Sequence, residues 1–321
     1  MVSGLTDIEG IKVGSVSNTD AATGVTVVLV ETGARAAVEV RGSAPGTRET
    51  DLLRPGQLVA EVQSIVLAGG SAFGLDAASG VTRYLEERGC GFPAGHYKVP
   101  VVPAAVLFDL FIGNGRIRPD AAMGYQACID ASTGPVPEGS VGAGTGATVG
   151  KIYGISQSVK GGQGTAAIQK GELIVAALVV VNAFGDIFDR KGNLLAGPRN
   201  PETGKMDLTS EVLLDTGAGS FFGNTTLGVV ATNASLGTAA LTKVCQLAQD
   251  GLARSIWPVH TMWDGDTVFA LSRGSLIADV NIVSLMAAKA VEEAVERAAL
   301  MATSLCGIPS AADYKGGAKN K

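Results

Sequence analysis

Apolar and polar residues fall in blocks whose spacing switches between the period of a strand and that of a helix. Residues 24–30 and 36–40 read as two strands near the start. Residues 64–70, Ser-Ile-Val-Leu-Ala-Gly-Gly, predict a buried strand ending in a glycine turn, followed by a helix over about 75–88 that stops at Gly89. Further on, 172–182 is a continuous apolar strand and 225–232 another. Ser235 is placed to cap a helix in which Leu241, Val244, Ala248 and Leu252 share a face before Pro258. Residues 266–271 predict one more strand, and 280–305 a long helix with Glu292, Glu293, Glu296 and Arg297 on its wet face. Strands apolar on both faces need cover on both sides, so the pattern predicts an α/β protein with sheets between helical layers. The proline-bearing segment 197–205 and the tail 315–321 read as disordered surface. The polar, glycine-bearing stretch 208–223 is expected to move. No internal repeat or domain boundary interrupts the pattern, which predicts a single domain over 1–321.

Composition narrows the partners. The 321 residues are 46% hydrophobic and 17% charged, the balance of a strongly cored globule. Forty-four glycines are roughly twice the usual share and imply many short connections. A net charge of −5 with no Lys/Arg run argues against nucleic acid or an anionic membrane as partner. The longest apolar run, 173–181, is too short to span a bilayer, and the N-terminus lacks a signal-peptide pattern. A cytoplasmic protein is expected. Cys90, Cys128, Cys245 and Cys306 are scattered without C-x-x-C pairing, so buried free thiols are expected instead of a zinc site or a disulfide framework.

Several motifs fail on spacing. The run from Gly142 to Lys151 looks like a phosphate loop, but the Walker pattern needs glycine where Thr145 stands and Ser or Thr where Ile152 stands. Gly69-Gly70-Ser71-Ala72-Phe73-Gly74 has one residue too many for a nucleophile elbow, so Ser71 reads as a turn or cap residue. His96 and His260 lack partners at metal spacing and read as structural. Asn224-Thr225-Thr226 and Asn233-Ala234-Ser235 match glycosylation sequons, which have no use without secretion.

The informative stretch is Gly223-Asn224-Thr225-Thr226, a turn feeding directly into an apolar strand. Cleavage before Thr225 would give that residue a free α-amine, reference pKa about 7.7–8.0, beside its own hydroxyl. Nucleophile and general base would then share one residue, with no histidine required. Taken alone, Thr225 is a β-favouring residue opening a strand. Lys151 after its glycine loop, Asn182 at a strand end, and Asp264 and Asp266 at a strand start add the parts an amidase needs.

The stretch from Asn224 to Asn233, the segment His260–Thr267, the segment 67–75 and Gly150-Lys151 together resemble the DmpA-type peptidase family. These are L-aminopeptidase D-Ala-esterase/amidases, β-aminopeptidases and endo-type nylon-oligomer hydrolases. The Gly-Asn-Thr-Thr and Asp-Gly-Asp-Thr patterns look closest to the nylon-oligomer branch, which acts on 6-aminohexanoate oligomers. Phe108 falls where aminopeptidase members place a tyrosine. The resemblance implies a four-layer αββα sandwich and self-cleavage into chains 1–224 and 225–321. It implies a homo-oligomer, tetramer or larger, of the processed units, acting on a small linear amide or peptide without metal or organic cofactor. By the same resemblance Thr225 is the nucleophile, Asn182 the oxyanion-side residue, and Lys151 a cation bonded to the Thr225 hydroxyl. Asp264 and Asp266 orient Lys151 and the amine. The alternatives are an aminopeptidase of the same family and, from another class, an ornithine acetyltransferase-like acyltransferase, whose Lys-Gly-Thr-type cleavage motif is absent.

Overall fold

The computed structural model describes residues 4–217 and 223–314; 1–3, 218–222 and 315–321 lie outside them. Strands β1 (Lys12–Asn18), β2 (Thr23–Val40), β3 (Gly46–Arg48), β4 (Glu61–Ala68), β5 (Ala104–Val106), β6 (Gly162–Lys170), β7 (Leu173–Asn182), β8 (Thr225–Ala234) and β9 (Thr267–Leu276) form one sheet. Its order is β6-β7-β8-β9-β2-β4-β5-β3, with β1 on β2. The β8–β9 and β4–β5 pairs are parallel and the others antiparallel.

β2 makes the layers. The two strands expected at 24–30 and 36–40 are one strand of 18 residues, whose register against β4 shifts between Leu29 and Ala34. Gly33 sits in that interval at φ +87, where a glycine absorbs the bulge without ending the strand. Even-numbered Val28, Val30, Ala34 and Ala36 all face one inner core, which Ala176, Leu178, Val180, Leu227, Val229 and Phe269 share. Odd-numbered Val25, Val27 and Leu29 face a second core, covered by α1 (Ala77–Glu87) and α2 (Ala121–Ile129). Ala37 faces a third, with Val175, Val179 and Val230. The sheet is therefore folded over its own inner face and carries helices on each outer face, the αββα sandwich.

The remaining helices are α3 (Thr209–Thr216), α4 (Thr238–Ser255) and α5 (Val280–Leu300). The shared face of Leu241, Val244, Ala248 and Leu252 on α4 meets Val283, Ala287, Val291 and Ala294 of α5 in the third core. Ser235 does not cap α4: its N–H donates to the Leu276 carbonyl at 2.8 Å, and Gly237 is the N-cap. α5 ends at Leu300, short of the expected 305. A 3-10 turn, Ser71–Asp76, replaces the first expected turn of α1.

The 197–205 segment is ordered, because Asn200 Oδ1 accepts the N–H groups of Glu202 and Thr203 and its N–H donates to the Lys205 carbonyl. The expected tail 315–321 lies outside the described residues, as does 218–222 of the stretch expected to move; 209–216 is α3. All four cysteines are free, but only Cys128 and Cys245 are buried. Among the described residues no helix is long and apolar enough to cross a membrane.

Candidate active site

Strand pairing brings the candidate residues together. β7 and β8 pair with Asn182 opposite Thr225, and one step earlier Asn224 bridges Asp264 in parallel. The end of β7, the start of β8 and the segment entering β9 thus meet at the Asn224–Thr225 peptide. Lys151 arrives from the glycine loop, its backbone N–H bonded to the Phe184 carbonyl just beyond β7. Thr225, Lys151, Asn182, Asp264 and Asp266 are each at most 6% exposed.

The peptide bond ahead of Thr225 is gripped on its carbonyl. The Thr225 hydroxyl donates to the Asn224 carbonyl oxygen, and the Gly265 N–H donates to the same oxygen at 2.9 Å. A side chain at position 265 would not fit, since a Cβ there would lie 2.8 Å from Thr225 Oγ1 and 2.6 Å from the Ala44 carbonyl oxygen.

One residue upstream, Lys151 and Asn182 hold the Gly223 carbonyl. Lys151 Nζ donates to that oxygen at 3.0 Å, to Asn182 O at 2.9 Å and to Asn182 Oδ1 at 3.0 Å. Asn182 Nδ2 donates to Gly223 O at 3.0 Å and Phe108 O at 3.1 Å, while its Oδ1 also accepts the Thr148 N–H at 3.0 Å. The Lys151 hydrogen bonds therefore run to Asn182 and the backbone of the intact chain, and the Thr225 hydroxyl is turned to the carbonyl beside it.

The acids are held by backbone and by one short segment. Asp266 Oδ1 accepts the Thr226 N–H at 2.6 Å; Oδ2 accepts the His260 N–H at 3.1 Å and lies 2.7 Å from His260 Nδ1. Asp264 Oδ1 accepts the Phe184 N–H at 3.2 Å, and Oδ2 accepts from the N–H and hydroxyl of Thr261 at 3.0 and 2.5 Å. Burial, and then the neighbouring Asp266, push the Asp264 carboxyl up to about 6 against the Thr261 and Phe184 bonds. The Gly69-Gly70 motif serves the site at one remove. The Gly70 N–H and the Thr23 hydroxyl each hold Asp109 at 2.7 Å, next to the Phe108 carbonyl that Asn182 bonds.

Burial also drives the Lys151 ammonium down to about 7, against the pull of Asp264 and with the push of Lys160. Lys160, fully buried and likewise lowered to about 7 by burial, donates to the Thr145 and Ala147 carbonyls at 2.7 Å each. It thereby fixes the loop that carries Thr148 and Lys151. From about pH 7 to 10.5 an unfolded lysine keeps a proton that these folded ones have released, so stability rises with pH across that window. In a Thr225→Ala background, expected to keep the chain in one piece, the urea midpoint should climb from pH 7 to 9. Adding Lys151→Met should flatten that slope, by at most about 1.4 kcal/mol per pH unit. Equal slopes would show that Lys151 titrates alike folded and unfolded.

A pocket opens beside the Gly223 carbonyl, walled by Phe108, Phe111, Ile112 and Ile155, with Lys151 on its polar side. The Phe108 and Phe111 rings stand 4.8 Å apart. Among the described residues no group of three or more His, Cys, Asp or Glu side chains is arranged to hold a metal. His96 is exposed on a hairpin turn between Phe92–Ala94 and Tyr97–Val99. Sequence reasoning missed Gly265, Thr148, Lys160 and Thr261 and read His260 as structural. The backbone donors leave no side-chain signal, while His260 and Thr261 lie within the segment His260–Thr267 that carries the family resemblance.

Comparison with known proteins gives this geometry a family. The model of Peptidase family S58 matches residues 3–311. An uncharacterized aminopeptidase of Mycobacterium leprae (strain TN) is 42% identical, the alignment covering 96% of this chain and 93% of that protein. A 6-aminohexanoate-oligomer endohydrolase of Kocuria sp. (strain KY2) is 32% identical over 91% of this chain and 85% of that protein. The L-aminopeptidase D-Ala-esterase/amidase of Ochrobactrum anthropi, described as a variant of the Ntn hydrolase fold, superposes with a TM-score of 0.71 at 20% identity. That match covers 94% of this chain and 87% of the other. The sandwich is thus the N-terminal-nucleophile hydrolase fold, and with a family match spanning nearly its whole length the chain belongs to peptidase family S58, as an amide hydrolase.

Proposed function

We propose that this chain cleaves itself between Asn224 and Thr225 and then hydrolyses linear amides with Thr225 as its N-terminal nucleophile. The observation that carries the reading is the convergence of the Thr225 hydroxyl and the Gly265 N–H on the Asn224 carbonyl oxygen. Attack of Oγ1 on that carbonyl carbon places the developing oxyanion on the Gly265 N–H. Collapse breaks the C–N bond, the nitrogen takes a proton to become the Thr225 amine, and water hydrolyses the resulting ester to leave chains 1–224 and 225–321. In turnover the freed amine takes the hydroxyl proton as Oγ1 attacks substrate. Lys151 and Asn182, released from the Gly223 carbonyl, then face the acyl side of the substrate. In its protonated form Lys151 also favours the neutral amine that the base role requires.

For substrate, we favour internal cleavage of 6-aminohexanoate-type oligomers. The apolar walls at Phe108, Phe111, Ile112 and Ile155 suit a polymethylene chain. In the intact protein the acyl side of the bond continues upstream, and Lys151 meets a carbonyl there. A substrate with a free ammonium in that position would offer Lys151 no carbonyl to bond. The second reading, an aminopeptidase, has in its favour the Mycobacterium leprae relative, an uncharacterized aminopeptidase of higher identity than the endohydrolase. A 6-aminohexanoate oligomer with a blocked amino end separates the two, because an aminopeptidase needs the free amine. Cleavage inside the blocked oligomer, followed by mass spectrometry, is the expected result; reaction of free-amine peptides alone would establish the aminopeptidase reading. The processed units are further proposed to assemble as a homo-oligomer in the cytoplasm. Exposed Ile277, Ile282 and Leu285, at and before the start of α5, are apolar surface of the kind such contacts cover.

A further inference from the structure

His260 occupies the left-handed region at φ +56, a conformation costly for most side chains and easier for glycine or asparagine. Its imidazole is spent on one contact. Nδ1 lies 2.7 Å from Asp266 Oδ2, the oxygen that also accepts the His260 N–H at 3.1 Å, while Nε2 is buried and has no hydrogen-bond partner among the described residues. The other oxygen of Asp266 accepts the Thr226 N–H at 2.6 Å, one residue after the nucleophile. The next residue, Thr261, holds Asp264 in the same way, by its N–H and its hydroxyl. From the same segment Gly265 reaches the Asn224 carbonyl, so residues 260–266 grip the Asn224–Thr226 backbone from one side.

Resting on the reading of Thr225 as nucleophile, we propose that His260 is a positioning residue for it. Nδ1–H fixes Asp266 Oδ2, the carboxylate can then present Oδ1 only to the Thr226 N–H, and that bond sets where the Thr225 hydroxyl, and after cleavage its amine, stand. Without the imidazole, Oδ2 keeps one long backbone donor and the carboxylate is free to turn. The function resides in Nδ1, not in the bulk of the ring or in Nε2.

Asparagine and glutamine separate these features. An asparagine amide places its Nδ2 where the histidine has Nδ1 and tolerates a positive φ; a glutamine amide reaches toward the place of Nε2. His260→Asn is expected to self-cleave and turn over within about threefold of wild type. His260→Gln and His260→Ala should be slower by about 10- to 100-fold, the scale of a lost charge-assisted hydrogen bond. Self-cleavage is read by mass spectrometry of freshly expressed chain, turnover on amide substrate, and folding by the thermal midpoint. Equal rates for the Asn and Gln variants, or losses that follow only a lowered thermal midpoint, would overturn the proposal. Should Thr225→Ala still split, the nucleophile reading itself falls. If Thr225→Ala is inert while His260→Ala and His260→Gln run at wild-type rates, this inference alone falls.

Discussion

Thr225→Ala is expected to remain a single chain and to show no hydrolysis above background. The substitution removes the hydroxyl that donates to the Asn224 carbonyl and, because the peptide bond stays closed, also withholds the α-amine that would serve as base. Both losses act on one residue, so no partial activity is left to come from the remaining groups. The buried carboxylates Asp264 and Asp266 keep their backbone donors in the variant, and the β7–β8 register around Asn182 is untouched, so the fold should survive. Denaturing mass spectrometry of wild type should find chains 1–224 and 225–321, the second beginning with Thr225. Thr225→Ser keeps the hydroxyl and should both split and turn over, more slowly. Fully active wild type that stays in one piece, or a new N-terminus at another residue, would remove Thr225 from the mechanism.

The structure brings together the candidate residues whose side chains carry a signal in the sequence. Asn182 closes a strand whose residues are almost all buried, Thr225 opens the next, and the antiparallel pairing of the two sets these ends side by side. Where backbone does the work, sequence is mute. The Gly265 N–H on the Asn224 carbonyl appears in the chain only as one more glycine among 44. β6 carries little strand signal because Gly162, Gly164, Ala166 and Ala167 leave it poor in bulky residues. A Cβ on Gly164 would lie 2.1 Å from the Ala294 carbonyl oxygen, so α5 packs against strand backbone and the bulky β pattern is suppressed. The expected strands 24–30 and 36–40 leave 31–35 between them, where Gly33 marks a bulge within one continuous strand. His260 was read as structural because its single carboxylate partner, six residues on, matches neither metal spacing nor a hydroxyl nucleophile.

Asn182→Ala should separate self-cleavage from turnover. In the intact chain the Asn182 amide bonds the Gly223 carbonyl, whereas the scissile Asn224 carbonyl has the Gly265 N–H. Loss of the amide therefore costs self-cleavage one positioning hydrogen bond, about 1 kcal/mol net, or roughly fivefold in rate. Turnover loses more, because substrate lacks the covalent tether that presents Asn224 and the amide N–H is the donor proposed for its carbonyl. A fall of about 10²- to 10³-fold is expected. Lys151 also loses the Oδ1 acceptor that fixes its ammonium, which adds to the loss in turnover. Asn182→Asp sharpens the contrast, since a carboxylate there repels the carbonyls it should bind and favours the charged form of Lys151, moving that pKa back up from about 7. Its residual activity should accordingly shift to higher pH, because the added carboxylate favours the protonated form of the nearby Thr225 amine as well. Self-cleavage is followed by the appearance of chain 225–321, and turnover on protein that has already been processed to completion. If both steps fall by the same factor in Asn182→Ala, the assignment of Gly265 to the first oxyanion and Asn182 to the second is wrong.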